Sequence, residues 1–338
     1  MKFKFFLTER SVNEATDFYI GLIERAIHAA GYESERIFNV KQILGNDVVV
    51  TIEAKDFLKV KLLKPGHKQI NWFQGIVPEE AMMMFNSSWR KVLWEFLERH
   101  TLSKANLNLF VSEAMRQHYI SKYGYSGRHD LIIPCYNKQF NKEAFFIHKK
   151  YSSPSFVYAG SLAAWQCIDE TLQIYKGVEA EIPEASLTLL TADQEKAIKL
   201  VKKYEIRNCE VRFCPLARLD AELSKYKYGF LIREPHIVNK VATPTKMNSY
   251  LAVGVIPVFS NVIEAFKAHL PFKDNGAIKI NPELSLEEKV QQIINFESGI
   301  QVLPQSLYEE YAKLSDNYYN DQIYITSLSK KLKELIVC

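Results

Sequence analysis

The segment from Gly229 to Ser260 constrains the fold more than any other part of the chain. It holds two apolar runs, separated by a polar loop and by a helix that closes at Gly254. Strand, loop, helix, glycine cap and second strand in this order predict a parallel βαβ unit, because parallel strands need a helical crossover. The polar loop then lies at the carboxyl end of a strand, where open α/β sheets bind ligands.

The polar loop carries residues that suit a phosphate. Pro244, Thr245 and Lys246 open the helix, and Lys240 precedes them. A helix N-terminus offers unpaired backbone N–H groups and the positive end of the helix dipole, to which the lysine adds an ammonium group. The pattern predicts phosphate binding. The alternative is an ordinary helix start with a solvated lysine.

Two further features have a functional and an ordinary interpretation. Arg233 and Glu234 end the first apolar run, where they either face a ligand or form a surface ion pair of little energetic value. Gly160 and Ser161 form a sharp turn after another apolar run. Such a turn either lets the backbone approach a ligand closely or is the strand-to-helix turn that most α/β domains contain.

Strands and helices alternate along all 338 residues, which predicts two α/β domains with mostly parallel sheets. We assign residues 1–142 to the first domain, 143–154 to a polar, basic linker and 155–319 to the second domain. Two Rossmann-like domains would present the carboxyl ends of their strands to a cleft between them.

Composition narrows the classes of function. The formal net charge of +4 suits an anionic ligand or an anionic membrane surface, but is too small to indicate nucleic acid. The five cysteines form no CxxC pair, which favours a reducing compartment and hence the cytoplasm. We find neither a signal peptide nor an apolar run of the ~20 residues that span a bilayer. No DxD pair or His/Asp set suggests a metal ion.

The second half resembles the donor-binding region of the retaining GT-B glycosyltransferases of the family-four type, also called glycosyl transferases group 1. Tyr158 to Leu162 stands where the family has a glycine turn, and Gln74 to Glu80 resembles a feature of a bacterial surface-polysaccharide subgroup. The resemblance covers nearly the whole chain and is more specific in the second half. The matching residues there are Arg233-Glu234, Val238-Asn239-Lys240, Pro244-Thr245-Lys246, Tyr250-Leu251-Ala252, Gly254 and Ile256-Pro257-Val258.

The resemblance implies the GT-B fold, with two Rossmann-like domains facing a central cleft and a C-terminal helix, 320–338, that joins the first domain. It implies transfer of a hexosyl group from a nucleotide sugar to a hydroxyl of a glycan or a lipid-linked polysaccharide precursor. Retention of configuration and independence from metals and other cofactors are implied as well. An acceptor on a lipid carrier would bring the basic first half to an anionic membrane, at the inner face of the plasma membrane.

The resemblance also suggests roles for single residues. Arg233 and Lys246 would stabilise the leaving diphosphate, and Gln74 stands where the family often has a histidine near the reacting sugar. Many members carry glutamates where this chain has Val241 and Ser249, and Ser249 would give the ribose only a weaker hydrogen bond. The residues expected to contact the donor are Gly160, Ser161, Gln166, Pro215, Leu216, Lys240, Pro244, Thr245 and Ser249.

Acceptor contacts are expected from the loops of the first half, namely from Glu9, Asn13, Gly75 and Glu79. The ordinary interpretations are helix capping by Asn13 and a helix start at Glu79. Two other functions stay open. A nucleotide-sugar epimerase would turn over its substrate without an acceptor, and a non-catalytic glycosyltransferase-like partner protein would transfer nothing.

Overall fold

The computed structural model describes residues 1–8, 12, 14–127, 129–273 and 275–337. The chain forms two compact units. Unit 1 consists of Met1–Asn137, Val241–Thr243 and Asn320–Cys338. Unit 2 consists of Lys138–Lys240 and Pro244–Tyr319.

Unit 1 is built on a sheet of six strands in the order β2-β1-β3-β4-β5-β6, and all neighbouring strands are parallel. Every residue of β3 is buried, as expected for a parallel strand that is covered on both faces. The strands are β1 (Phe3–Phe6), β2 (Ser34–Ile37), β3 (Val48–Thr51), β4 (Gln69–Phe73), β5 (Leu107–Phe110) and β6 (Asp130–Ile132).

The helices of unit 1 include one from the far end of the sequence. This last helix packs on the first helix, where Arg25 forms an ion pair with Asp321 at 2.5 Å and Leu328 and Leu332 are fully buried. The helices are α1 (Glu14–Ala29), α2 (Ala54–Leu63), α3 (Val77–Phe85), α4 (Ser88–Lys104), α5 (Glu113–Tyr123) and α14 (Asp321–Val337).

Unit 2 contains a second parallel sheet of six strands, in the order β12-β11-β10-β7-β8-β9. The chain moves outward from β7 to β9 and then returns to the other side of β7. The strands are β7 (Ser155–Ala159), β8 (Ser186–Leu190), β9 (Cys209–Arg212), β10 (Tyr228–Leu231), β11 (Ile256–Ser260) and β12 (Ile278–Ile280). The expected fold class, α/β with two parallel sheets, is confirmed.

Helices connect the strands of unit 2 and continue beyond its last strand. One of them, α9 (Ile237–Val241), ends at the short segment that belongs to unit 1. The others are α6 (Ile168–Glu181), α7 (Gln194–Lys203), α8 (Leu216–Leu223), α10 (Thr245–Ala252), α11 (Glu264–His269), α12 (Leu286–Gly299) and α13 (Pro304–Tyr318).

Several short elements were not expected from the sequence. Strand β2 is a polar edge strand, and the helices α9 and α11 have five and six residues, which is too short for a periodic apolar pattern. Helix α3 lies in a stretch that reads as a loop, although Pro78 and two glutamates in its first turn are typical of a helix start.

The segment expected to be a linker, 143–154, is packed within unit 2. Phe145 is fully buried, and the buried ammonium group of Lys150 donates to the carbonyl oxygens of Ala144, at 3.0 Å, and of Val253. The boundary of unit 2 therefore lies earlier, at Lys138.

Candidate functional site

The strand order of unit 2 defines a topological switch point between β7 and β10. The chain leaves β7 toward one edge of the sheet and leaves β10 toward the other, so the carboxyl ends of these two strands flank a crevice. Gly160 follows β7 directly, and Arg233 lies two residues beyond β10. The predicted ligand loop thus lies where this class of sheet binds ligands.

Lys246, in the first turn of α10, reaches back to the turn after β7. Its Nζ donates to Oε1 of Gln166 at 2.6 Å and lies 3.9 Å from the centre of the Tyr158 ring. Burial holds the pKa of Lys246 well below its usual range, and the neighbouring Arg233 lowers it further.

Gly160 makes room for this lysine. Its φ of +142° disfavours other residues, and an added Cβ would lie 2.8 Å from Cε of Lys246. The sharp turn at this glycine is therefore required by a specific neighbour, rather than only by the change from strand to helix.

Arg233 is buried, with 4% of its surface exposed, whereas Glu234 is exposed. The Arg233 guanidinium donates to the carbonyl oxygen of Trp165 at 2.6 Å, and burial lowers its pKa. The surface ion pair with Glu234 is therefore absent. Among the described residues, neither Arg233 nor Lys246 has a carboxylate partner.

Five of the other predicted donor residues lie at or on α10 or in the segment that follows β7. Pro244 and Thr245 begin α10 next to Lys246, and Gln166 contacts Lys246 directly. Ser161 is exposed beside Gly160, and Ser249 donates to the Thr245 carbonyl oxygen of its own helix at 3.1 Å.

The remaining three predicted donor residues are not brought into the cation cluster. Lys240 is exposed on α9. Pro215 precedes α8 and is exposed, while the carbonyl oxygen of Leu216 accepts from Nζ of Lys138 at 3.4 Å. Pro215 and Leu216 follow β9, two strands away from β7 in the sheet.

Two tyrosines of the site were missed by sequence reasoning. Tyr158 in β7 lies under the Lys246 ammonium group, and Tyr250 in α10 donates to the Phe230 carbonyl oxygen at 3.0 Å. The Tyr250 ring packs on Gly229, where an added Cβ would lie 2.7 Å from it. Tyr250 was recognised only as part of a motif, although its spacing of four residues from Lys246 places both on one face of the helix.

Unit 1 contains a cavity of about 450 Å³. It is lined by the end of β4, by residues that follow β3 and β4, and by residues from α1, α2, α3 and α4. The predicted residues Gln74 and Gly75 are part of this lining. The polar and aromatic lining includes Glu53, Lys55, Asn71, Trp72, Glu80, Trp94 and Glu98.

Two of the lining side chains carry unused hydrogen-bond donors. Oδ1 of Asn71 accepts from the Thr51 hydroxyl at 2.8 Å, but its Nδ2 has no partner, and neither does Nε1 of Trp72, among the residues that the structure describes. Both residues are about 1% exposed. Buried donors are normally satisfied, and an oxygen atom in the cavity could accept from these two.

Two carboxyl groups in the lining hold protons unusually well. Burial raises the pKa of Glu98 to about 7, although the hydroxyl groups of Tyr119 and Tyr123 donate to it at 3.0 and 2.7 Å. Burial also raises the pKa of Glu80. The cavity can therefore both donate and accept hydrogen bonds near neutral pH.

The Glu79 carboxylate already has partners outside the cavity. Lys122 donates to its Oε1 at 2.5 Å, and Nε2 of His118 lies 3.6 Å away. Burial would raise the pKa of Glu79, but the nearby His118 and the hydrogen bond from Lys122 lower it to about 2. The other predicted acceptor residues, Glu9 and Asn13, lie outside the described residues.

Two kinds of feature are absent from the described part of the chain. No group of three or more His, Cys, Asp or Glu residues there is arranged to hold a metal ion. None of the helices in that part is long and apolar enough to cross a membrane.

No protein-family model and no curated protein matches the sequence. Solved structures do match. A sucrose-phosphate synthase from Thermosynechococcus elongatus superposes with a TM-score of 0.73 and 11% identity, over 100% of this chain and 99% of that one. The trehalose 6-phosphate synthase from Burkholderia multivorans gives 0.65 and 12%, over 97% of this chain and 79% of that one.

TarM from S. aureus, in complex with UDP, superposes with a TM-score of 0.60 and 12% identity. The match covers 86% of this chain, which spans about half (55%) of the TarM chain. Identities this low show the fold alone. The chain has the GT-B fold of these glycosyltransferases, with two Rossmann-like domains.

Proposed function

We propose that the chain is a glycosyltransferase that moves a hexosyl group from a nucleotide sugar to an acceptor hydroxyl of a glycan or a lipid-linked polysaccharide precursor. The observation that carries this proposal is the pair of cations at the switch point of unit 2. Arg233 and Lys246 are neighbours and lack carboxylate partners in the described structure. Charges held away from water need a counter-charge, which a diphosphate would supply.

The same two cations suit the chemistry of transfer. The bond between the sugar carbon and the diphosphate oxygen breaks, and its electron pair remains on the diphosphate as negative charge develops there. A new bond forms to the acceptor oxygen, whose proton passes to the departing diphosphate. Cations already fixed beside the leaving group stabilise that charge without reorganisation. Retention and independence from metals follow from the resemblance of the segment 233–258 and stay predictions.

The donor is proposed to be a UDP-sugar. TarM and the pneumococcal O-GlcNAc transferase GtfA, which superposes with a TM-score of 0.63 and 10% identity, were both crystallised with UDP. GtfA was bound to GlcNAc as well.

The acceptor group is proposed to bind in the cavity of unit 1 as an uncharged or amine-bearing sugar. The unused donors of Asn71 and Trp72 suit hydroxyl oxygens, and the tryptophans offer apolar faces. The lining contains a single lysine, Lys55, whose ammonium group already pairs with Glu53 at 2.5 Å. A phosphorylated acceptor is therefore disfavoured, because the described lining offers its phosphate no unpaired cation.

The test is a thermal-shift panel of the full chain with UDP, GDP, ADP and their sugars. Ligands that bind the native state raise the melting temperature, and the donor nucleotide should stand out from the others. The proposal is wrong if no ligand of the panel raises the melting temperature. That result would favour the non-catalytic partner protein instead.

A bound nucleotide sugar then separates the enzyme alternatives. Incubation with the sugar donor and neutral or amino-sugar acceptors should form a glycoside only when the acceptor is present. A changed nucleotide sugar in the absence of acceptor would instead identify an epimerase. The anomeric configuration of the product, read by NMR, tests retention, and transfer in EDTA tests independence from metals.

A further inference from the structure

Helix α4 presents a complete apolar stripe to solvent. Trp89, Val92, Leu93 and Phe96 are spaced as i, i+3, i+4 and i+7, which places them on one face of the helix. Their side chains are between 49% and 67% exposed. Such a stripe normally faces a core, but this one has no partner in the described structure.

Neighbouring helices extend the stripe. Helices α2 and α3 both pack against α4, and their C-terminal ends carry further exposed apolar residues. We call the whole set the α4 face: Leu62, Leu63, Met84, Phe85, Trp89, Val92, Leu93 and Phe96. Single exposed apolar residues are common, whereas eight on three helices that pack together mark an interaction surface.

The charges around the α4 face are positive. The Arg90 guanidinium lies 4.5 Å from the Phe85 ring and 5.5 Å from the Trp89 ring, and Arg99 is exposed at the other end of the helix. Residues 54–104 hold nine Lys and Arg against five Asp and Glu, and this surplus equals the formal net charge of the whole chain, +4.

The acidic residues in the range 54–104 are buried, or half-buried with a partner or a place in the cavity wall. Asp56, Glu79 and Glu98 are buried, and Glu80 lines the cavity. Glu95 pairs with Lys122 at 3.1 Å. Arg90 and Arg99 therefore give the edge of the α4 face a positive charge, and none of the carboxylates of these three helices is fully exposed.

We propose that the α4 face binds the surface of an anionic lipid bilayer, with its aromatic and aliphatic side chains among the headgroups and upper acyl chains. Tryptophan prefers this interfacial zone, and arginine and lysine beside it pair with lipid phosphates. A second copy of the chain fits less well, because a twofold contact through this face would set two cationic rims against each other.

Helix α4 lies between the α4 face and the cavity of unit 1, because Trp94 and Glu98 line the cavity from the opposite side of this helix. Binding of the α4 face would therefore place the cavity one helix away from the membrane surface. If the proposed function holds, this position suits an acceptor sugar carried on a lipid. Membrane binding itself does not depend on that function.

The experiment is flotation of the purified full chain with vesicles of phosphatidylcholine, with and without phosphatidylglycerol. The chain should float with the anionic vesicles and much less with the neutral ones. Trp89→Ser/Phe96→Ser should lower the partition coefficient at least about tenfold, because two large apolar side chains leave the lipid. The matched control, Ile198→Ser/Phe213→Ser, removes two exposed apolar residues from unit 2 and should float like the wild type.

A charge variant supplies the second measurement. Arg90→Glu/Arg99→Glu should reduce flotation with anionic vesicles and remove its dependence on salt. The proposal is overturned if the wild type ignores anionic vesicles, or if Trp89→Ser/Phe96→Ser binds them as well as the wild type. It is equally overturned if the wild type is a dimer in solution that this double variant dissociates, since the α4 face would then bind a second copy.

Discussion

At the scale of single residues, the candidate donor site depends on which residues the Lys246 side chain contacts. Its ammonium group lies over Tyr158 and bonds to Gln166, in a pocket that lowers its pKa. The helix N-terminus predicted from the sequence supplies only part of the site. The rest comes from the turn after β7, more than 80 residues earlier in the chain.

Lys246→Ala should weaken binding of the donor diphosphate by about 1.5–3 kcal/mol, the scale of a hydrogen bond to a charged group. Titration calorimetry with the nucleotide found by thermal shift measures the change. The matched control is Lys240→Ala, since Lys240 lies in the same segment but is exposed. Equal losses in both variants would mean that the diphosphate binds through general electrostatics rather than at Lys246.

Diphosphate binding should also raise the pKa of Lys246, so that protons are taken up at any pH between the depressed and the raised value. Its pKa is depressed in the free protein by burial and by Arg233, and a bound anion favours the charged form. Affinity should therefore fall as the pH rises through the depressed pKa. Calorimetry in two buffers of different ionisation enthalpy counts the protons. No proton uptake by the wild type, or the same uptake in Lys246→Met, would contradict this prediction.

Glu98→Gln should change the pH dependence of stability. The folded-state pKa of Glu98 is about 7, above its ordinary value of 4.5. The stabilising contribution is therefore full below pH 4.5 and is lost as the pH rises toward 7. Relative to the wild type, the variant should gain about 2–3 kcal/mol between pH 5 and pH 8. Urea unfolding at the two pH values measures this gain, and a constant difference would show that Glu98 is ionised throughout.

At the scale of secondary structure, the sequence predicted apolar elements well and polar or very short helical ones poorly. Apolar runs such as Val48–Thr51 and Ile256–Ser260 identify buried parallel strands directly. Strand β2 has as many residues as Val48–Thr51, but only one of its four is buried, so its sequence shows no strand pattern and the strand depends on pairing with β1. The α4 face was hidden for another reason, since its apolar spacing is the same as that of a buried helix.

Strand order is the part of the site that no local pattern contains. The alternation of elements predicted a parallel sheet, but the position of β10 beside β7 depends on tertiary packing. That position brings Gly160, Arg233 and Lys246 together. The acceptor side shows the same limit, because Asn71 and Trp72 read as ordinary members of a buried strand until the cavity beside them is seen.

Gly160→Ala should test the junction between β7 and α10. The new Cβ would meet Cε of Lys246 at 2.8 Å and would require a disfavoured φ, so we expect a loss of about 1–3 kcal/mol of stability and weaker nucleotide binding. Gly21→Ala is the control, since that helical glycine has open space around its Cβ and should gain about 0.5–1 kcal/mol. Thermal unfolding with and without nucleotide distinguishes the two, and unchanged nucleotide binding in Gly160→Ala would mean that Lys246 adapts.

At the scale of the whole molecule, each unit combines one parallel sheet with a candidate site near a topological switch point. In unit 2 the site is the cation pair between β7 and β10. In unit 1, β2 lies on one side of β1 and β3 on the other, so the topological switch point lies between β1 and β3. The cavity includes residues that follow β3. Unit 1 is completed by a helix from the end of the chain, so its stability depends on residues that are distant in sequence.

Leu328→Ala in α14 should destabilise unit 1 by about 2–5 kcal/mol, because it opens a cavity at a fully buried position against α1. Three of the four tryptophans, Trp72, Trp89 and Trp94, belong to unit 1, so tryptophan fluorescence during urea unfolding reports mainly on that unit. Its midpoint should fall clearly in the variant. Ile323→Ala, at a half-exposed position of the same helix, should shift the midpoint by much less.

Nucleotide binding separates this loss from general damage to the protein. The cation pair belongs to unit 2, whereas Leu328 lies in unit 1. Without denaturant, Leu328→Ala should therefore bind the donor nucleotide with wild-type affinity in titration calorimetry, although its unfolding midpoint is lower. If Leu328→Ala weakens nucleotide binding as strongly as Lys246→Ala does, the donor site requires an intact unit 1, and its assignment to unit 2 alone is wrong.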